Sequence, residues 1–353
     1  MNTSKIFRHI GRILTLCAIP TLFFACGDKD TDKIDNGGGN GGGGGDTTST
    51  STVGALSGIF SVSETQKVAF SKGNLQYQPS TGLFRFAENQ YDYVGDANKT
   101  IGNDTLGLWF DLFGWGTSGY HNEADSYNKH YLPDDCGKYD ETVNGTYNFY
   151  GFGPSTNMTD ADLVGTSAQY DWGVFNAITN GGNIANNWRT LTKDEWVYLL
   201  TQRSASTLQG TENARYAKAK LNVTYDTITV DVSGLIIFPD SYSHPEGVPA
   251  LSRINSAGAN YNQTITADDW KKMEDAGCVF LPAAGRREIA NRNNARRIVS
   301  PGTVGNYWST THSDFAPANG NLAYELLFSF EVLDANSSNN RDGGRSVRLV
   351  QNR

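Results

Sequence analysis

Asn187-Trp-Arg-Thr-Leu-Thr-Lys-Asp-Glu-Trp-Val-Tyr198 is the stretch that decides the fold. Within it Thr192-Lys-Asp-Glu195 is a capping box. The Thr192 hydroxyl and the Glu195 carboxylate each accept from an amide that the first helical turn leaves without a partner. Trp196, Leu199 and Leu200 then fall on one apolar face, so the helix starts with a defined buried side. A second such signal, Thr266-Ala-Asp-Asp269, opens a helix carrying Trp270 and Met273, and Gly277 suits its C-terminal stop.

Moving outward, short apolar runs surround both helices. Gly234-Leu-Ile-Ile-Phe238 lies between them and Cys278-Val-Phe-Leu281 follows the second. Upstream, Phe60-Ser-Val62, Val68-Ala-Phe70, Leu75-Gln-Tyr77 and Leu83-Phe-Arg-Phe86 alternate and are punctuated by Lys72-Gly73-Asn74 and Pro79-Ser-Thr-Gly82, which reads as a β-meander. The tail adds Tyr307-Trp-Ser309, Ala323 to Phe328 and Ser346 to Val350, whereas residues 105–120, dense in aromatics and glycine, show no regular period. No internal repeat is present. Two helices among many short strands make residues 55–353 an α+β domain.

Composition agrees. The chain has 353 residues, 39 of them Gly and 12% aromatic, with 29 basic against 37 acidic residues and a formal charge of −8. An acidic chain without a Lys/Arg run is not built for nucleic acid. Lys5, Arg8 and Arg12 precede an apolar run from Ile13 to Ala25, too short to span a bilayer and of the form of a secretory signal. Leu22-Phe-Phe-Ala-Cys26 looks like a bacterial lipobox, so residues 1–25 are expected to be removed and Cys26 lipidated. The mature chain then carries 26 basic and 37 acidic residues, a charge of −11, and the lipid rather than a basic patch would hold it to the membrane. Residues 26–54, acidic and then rich in Gly, Ser and Thr, read as a flexible tether. Acidic residues directly after the cysteine resemble the surface-export signals of Bacteroidetes lipoproteins, which implies the outer face of the outer membrane. Cys136 and Cys278 are the remaining thiols; export permits a disulfide and their spacing does not decide it.

Taken together, Asn187 to Tyr198, Phe280-Leu-Pro-Ala-Ala-Gly-Arg-Arg287, Gly305-Asn-Tyr-Trp-Ser-Thr310 and Gly344-Arg-Ser-Val-Arg-Leu-Val350 resemble the signatures of the formylglycine-generating (sulfatase-modifying factor) family. They look closest to its C-type-lectin-like branch, the major paralogous domain of Fibrobacter and Bacteroidetes lipoproteins. The resemblance implies a C-type-lectin-like fold with a ligand-binding face in its last strands and loops. The residues expected there are Asn306, Trp308, His312, Asp314, Tyr324, Glu325, Asn336, Asn339, Asn340 and Arg341. The same fold serves as the variable receptor of diversity-generating retroelements. Residues 306–345, with Asn306, Asn319, Asn321, Asn336, Asn339 and Asn340, occupy the corresponding place, although ordinary polar loops contain the same residues.

Catalytic signatures do not emerge. The relatives' oxidase chemistry needs a cysteine pair near the C-terminus, and no Cys follows Cys278; H-E-x-x-H, G-x-S-x-G and P-loop patterns are absent too. Paired carboxylates for glycoside hydrolysis stay open, because their separation cannot be read from sequence. No cofactor is expected beyond Ca²⁺, for which Asp96, Asn98, Asn103 and Asp104 offer oxygen donors; a plain turn cluster is the competing reading. Four histidines remain in the mature chain, His121, His130, His244 and His312; His121, Glu123 and Asp125 alternate as metal ligands on a strand would, or form a solvated loop. Trp196, Trp270, Trp172 and Trp188 read as core, and Trp308 as core before ligand contact. Trp109, Trp115 and Tyr120 are either core or a stacking platform. Arg286, Arg287, Arg292, Arg296 and Arg297 read as a solvated loop or as partners of an anion. Asp46-Thr, Asp104-Thr and Asp226-Thr look like acceptor sites for O-glycosylation in Bacteroidetes. The expectation is a non-catalytic surface lipoprotein binding a glycan or protein; an enzyme acting on polysaccharide and a structural part of an envelope or fimbria-like assembly are the alternatives.

Overall fold

The computed structural model describes residues 52–99, 108–120, 161–289, 296–314 and 322–353. Outside them lie the expected signal, Cys26, most of the expected tether, Asn103, Asp104, His121, Glu123, Asp125, His130, Cys136, Arg292, Asn319 and Asn321.

The capping box forms as read. The Thr192 hydroxyl accepts from Glu195 N at 3.2 Å and Glu195 Oε2 from Thr192 N at 2.8 Å. The helix α2 (Lys193–Val197) widens into a π turn over Tyr198–Gln202, which buries Leu199 and Leu200 with Trp196. Helix α3 (Ala267–Asp275) is capped by Thr266 and ends before Gly277, whose φ of 91° suits glycine. A short helix not foreseen in the sequence, α1 (Trp172–Phe175), is capped by Asp171.

Strands β1 (Phe60–Ser61) and β2 (Lys67–Phe70) join the C-terminal strand β14 (Val350–Asn352), while β3 (Leu75–Gln78) and β4 (Leu83–Phe86) make a separate hairpin. The four segments are strands as expected, but not one meander: the chain end, rather than β3, pairs with β2. The largest sheet runs β7-β5-β6-β8, from β5 (Tyr216–Tyr225), β6 (Ile228–Ile237), β7 (Thr264–Thr266) and β8 (Val279–Pro282). Its central hairpin turns on Asp226 and Thr227, with Asp226 at φ 53°; both are exposed, which places this Asp-Thr pair at a hairpin tip. Strands β9 (Arg286–Ile289) and β10 (Arg296–Val299) pair with each other. Last come β11 (Gly305–His312), β12 (Leu322–Phe328) and β13 (Leu333–Asn340), in that spatial order. The fold is α+β, mostly small antiparallel sheets with few helices.

Three apolar clusters fill the space between sheets. Trp196, Leu199, Phe60, Leu235, Tyr307 and Leu326 meet in one, and Trp270, Met273, Ile236 and Phe280 in the second. Trp115, Trp172, Trp188, Trp308, Val347 and Leu349 meet in the third. Truncating any of these tryptophans to alanine costs about 3–5 kcal/mol. Cys278 is free and fully buried, and burial raises its thiol pKa, so it is a core residue rather than a reactive one.

Candidate functional site

Sheet β11-β12-β13 carries the described part of the expected binding face, and its two sides differ. On the inner side a polar framework is sealed from water. Arg345 Nε donates to Glu325 Oε2 at 2.7 Å, and the Asn306 amide donates to Glu325 Oε1 at 2.9 Å. The Arg345 guanidinium lies 5.3 Å from the Trp308 ring centre, and the Trp308 indole N–H donates to Phe113 O at 2.7 Å. Nearby, Arg341 stacks 4.3 Å over Trp115 and donates to Leu322 O. Glycines make room for this stacking: a Cβ on Gly343 would sit 2.4 Å from Arg345 Nη1, and one on Gly344 would sit 2.9 Å from Leu112 O.

Asn306, Trp308, Glu325 and Arg341 are therefore corrected from ligand contacts to framework. All four are at most 2% exposed, and the Asn306 amide N–H, the Trp308 indole N–H, the Glu325 carboxylate and Arg341 Nε bond to one another, to Arg345 or to backbone. Trp115 takes the core reading of its two, being buried with its indole N–H on Ser309 O. Trp109 is half-buried under Arg85, 3.9 Å from its ring centre, and Tyr120 packs on Tyr170 and Phe175. Arg287 is buried beside Phe110 rather than solvated, and Glu288 pairs with both Arg286 and Arg297.

On the other side Tyr307 and Leu326 pack with Trp196 of α2 in the first apolar cluster, and the side chains beyond that contact are less buried. Alternation along β13 sets Ser338 opposite Tyr324 and Asn340 opposite Leu322, with Asn336 at a bulge next to them. Asn336 and Asn340 are exposed; Ser338, Asn339 and Tyr324 are half-buried. No strand among the described residues pairs with the outer edge of β13. Two of its amides are closed off locally: Asn336 N donates to Asp334 Oδ1 at 2.8 Å and Asn340 N to Asn339 Oδ1 at 2.9 Å. Such self-capping blunts the edge against strand addition and leaves the side chains to make contacts. Helix α2 supplies a cation: Lys193 Nζ lies 4.9 Å from the Tyr324 ring centre, and Lys193 N donates to Thr311 Oγ1.

His312 and Asp314 stand at the end of β11. The ring Nδ1 of His312 is 2.6 Å from Asp162 Oδ1, and Nε2 is 2.8 Å from Asp314 Oδ1. Asp162, Lys193 and Arg345 escaped the sequence reading. Lys193 and Arg345 lay inside quoted motifs, whereas Asp162 is 150 residues from His312 and carried no local signal.

Of the proposed Ca²⁺ donors, the two that are described, Asp96 and Asn98, are used internally. Asn98 Oδ1 accepts from Asp111 N, its amide donates to Asp111 Oδ1, and Asp96 pairs with Lys99 at 2.7 Å. Burial pushes the Asp111 carboxyl up to about 6, against the Asn98 and Val94 hydrogen bonds and the nearby Arg287. Among the described residues, no three His, Cys, Asp or Glu side chains are grouped to hold a metal ion. Compared with protein-family models, curated proteins and solved structures, the chain matches none of them.

Proposed function

We propose that the chain is a lipoprotein anchored through Cys26 at the outer face of the outer membrane. Its domain is a non-catalytic, C-type-lectin-like binding module that takes a glycan or protein on the β13 face. The carrying observation is the contrast across one sheet: the Asn306–Glu325–Arg345 framework is sealed within, and Asn336, Ser338 and Asn340 line the outside on a self-capped edge. Buried charged hydrogen bonds of this kind hold a strand in one register, and the amides and hydroxyl offer both donors and acceptors to a polar ligand. The same face suits sequence diversification at Asn336 and Asn340, but not at Asn306, which the framework encloses, nor at Asn339, which alternation sets opposite Ala323 on the framework side. A near-copy of that coding stretch close to the gene would support it.

The test uses the chain from residue 27 onward, displayed against glycan arrays and immobilised matrix and envelope proteins. Three lost hydrogen bonds at about 0.5–1.5 kcal/mol each predict that Asn336→Ala/Ser338→Ala/Asn340→Ala weakens retention at least about ten-fold without changing Tm. Retention of nothing, or equal retention by the triple variant, overturns the reading. Hydrolysis of an arrayed polysaccharide would replace it with an enzyme. Cys26→Ser in the full chain should move the protein from the membrane fraction to the soluble one.

A further inference from the structure

We propose that the segment 172–188, together with Val53, is a lipid-resting face through which the domain touches the bilayer that holds it. The inference rests on the reading of Cys26 as the anchor and adds a contact surface to it. Charge is the first observation. Asp, Glu, Lys, Arg and His are absent from residues 172–188 and from residues 53–63, although the chain has 37 acidic residues. The two stretches are distant in sequence and meet in the fold. A Cβ on Gly54 would sit 2.6 Å from Asn180 O and 2.9 Å from Gly181 Cα, and Gly54 has a φ of 84°, so only glycine allows this approach.

Large apolar side chains are exposed over this uncharged area. Val53 is 59% exposed, the most of any large apolar side chain among the described residues, with Ile184 at 47% and Phe175 at 37%. Ala177 and Ala185 are exposed as well. Ile184 follows Gly181 by three residues, and Asn186 N donates to Val174 O at 2.9 Å, which returns the turn to the side of Phe175. Exposed apolar groups gathered in this way mark a contact surface. The turn also satisfies its own backbone. Gly181 N and Asn183 N both donate to Ile178 O at 2.9 Å, and the Trp188 indole N–H donates to Gly181 O at 2.8 Å. It can lose water from its outer side without stranding these groups, which contact with hydrocarbon requires.

The point at which the chain enters the fold selects lipid as the occupant. Residues 27–51, the expected tether, lead from Cys26 to Thr52, directly beside Val53. A coil of that length reaches about 25–30 Å, so the anchor keeps the patch at high effective concentration near the membrane. Anionic headgroups repel an acidic surface, and the uncharged face is the part that can approach them. The charges at its border are paired: Lys72, whose amide donates to Gly54 O, lies 3.8 Å from Glu88, and Arg189 lies 2.7 Å from Glu195.

The test tethers the chain from residue 27, which contains every described residue, through an N-terminal histidine tag to phosphatidylcholine vesicles bearing a nickel-chelating lipid. Anchoring then does not depend on Cys26. In a Cys136→Ser background, Ile184→Cys carries an environment-sensitive nitrobenzoxadiazole label, and the fully buried Cys278 stays unlabelled. On vesicles the emission should shift to the blue and be quenched by nitroxide lipid labelled near the head of the acyl chain. Val53→Glu and Phe175→Glu should each lower the ratio of lipid-contacting to open protein at least about ten-fold, the effect of losing one apolar side chain from such a contact. Val53 is the more exposed of the two, so its variant carries the test if Phe175→Glu lowers Tm. Absence of quenching in the parent, or undiminished quenching in Val53→Glu, overturns the contact. A blue shift without quenching, seen also without vesicles, assigns the patch to a second copy of the chain and overturns it too. All three outcomes leave the anchor reading to the Cys26→Ser fractionation.

Discussion

Replacing Lys218 by methionine should destabilise the domain by about 3 kcal/mol. Lys218 sits in β5, 3% exposed, with no carboxylate among the described residues beside its ammonium. Instead its three N–H groups donate to Ala257 O, to Ser329 O at 2.6 Å and to Val332 O at 2.8 Å. The last two belong to the turn joining β12 to β13, so this one side chain staples the hairpin that carries the proposed binding face to the large sheet. Burial pushes the amine down to about 8, a cost of roughly 3 kcal/mol against its usual 10.5. Three bonds to a charged donor contribute about 1.5–3 kcal/mol each, together more than the cost, and methionine restores neither the bonds nor the carbonyl partners. Differential scanning calorimetry at pH 7 should show Tm lower by about 6 °C or more. Equal or higher Tm in Lys218→Met would refute the reasoning and mean that desolvation wins, as it does for some buried ions. With the folded amine at about 8, the unfolded chain holds the extra proton between pH 8 and 10.5, and wild-type stability rises across that window whichever way the variant falls.

Other variants probe the remaining buried polar groups. Asp111 in the fold is raised to about 6 from 3.8, so the folded chain holds the extra proton in that interval. The stability it contributes is present below pH 3.8 and lost as pH rises through 6. Denaturant unfolding of wild type and Asp111→Asn should therefore diverge by up to about 3 kcal/mol between pH 4 and 7, with the variant favoured at the higher pH; parallel curves would refute it. Glu325→Gln leaves the Arg345 charge buried without its counter-ion and should cost about 3–5 kcal/mol in urea melts. Adding Arg345→Met to it should recover much of that loss, and an additive double variant would argue against the pair. Thr192→Ala removes half of the capping box and should lower stability by about 1 kcal/mol, measured the same way.

What the sequence disclosed was local. Thr192 and Glu195 are three residues apart and their bonds depend on nothing else, so the helix start could be read directly. Strand segments 60–86 were readable from alternation, but their pairing was not, because β14 reaches β2 from the far end of the chain. Of the longest hairpin only Gly234 to Phe238 reads as strand in the sequence analysis, although Ala217, Ala219, Leu221 and Val223 alternate with polar residues. There burial defeats the period, since Lys218 is as buried as its apolar neighbours. Site residues implied by the resemblance fail in one direction: Asn306, Glu325 and Arg341 are buried in the framework instead of facing a ligand.

That error has a physical content of its own. The run from Gly343 to Val350 is wholly buried, and its two arginines serve different neighbours. Arg345 meets Glu325, whereas Arg348 donates to Gln90 at 2.7 Å and is pushed down to about 10 by burial. Gln90 in turn accepts from Phe280 N and donates to Cys278 O, tying the end of the chain to β8. A small domain of many short sheets has little helix to organise it, and its apolar clusters alone do not fix which strand lies beside which. Directional bonds from buried arginine, glutamate and glutamine do, because a shifted register would strand a charge without a partner. The polar residues of the C-terminal motif thus specify the framework. With the framework held from inside, the outer residues of β13 are free to vary in chemistry without altering the strand that displays them.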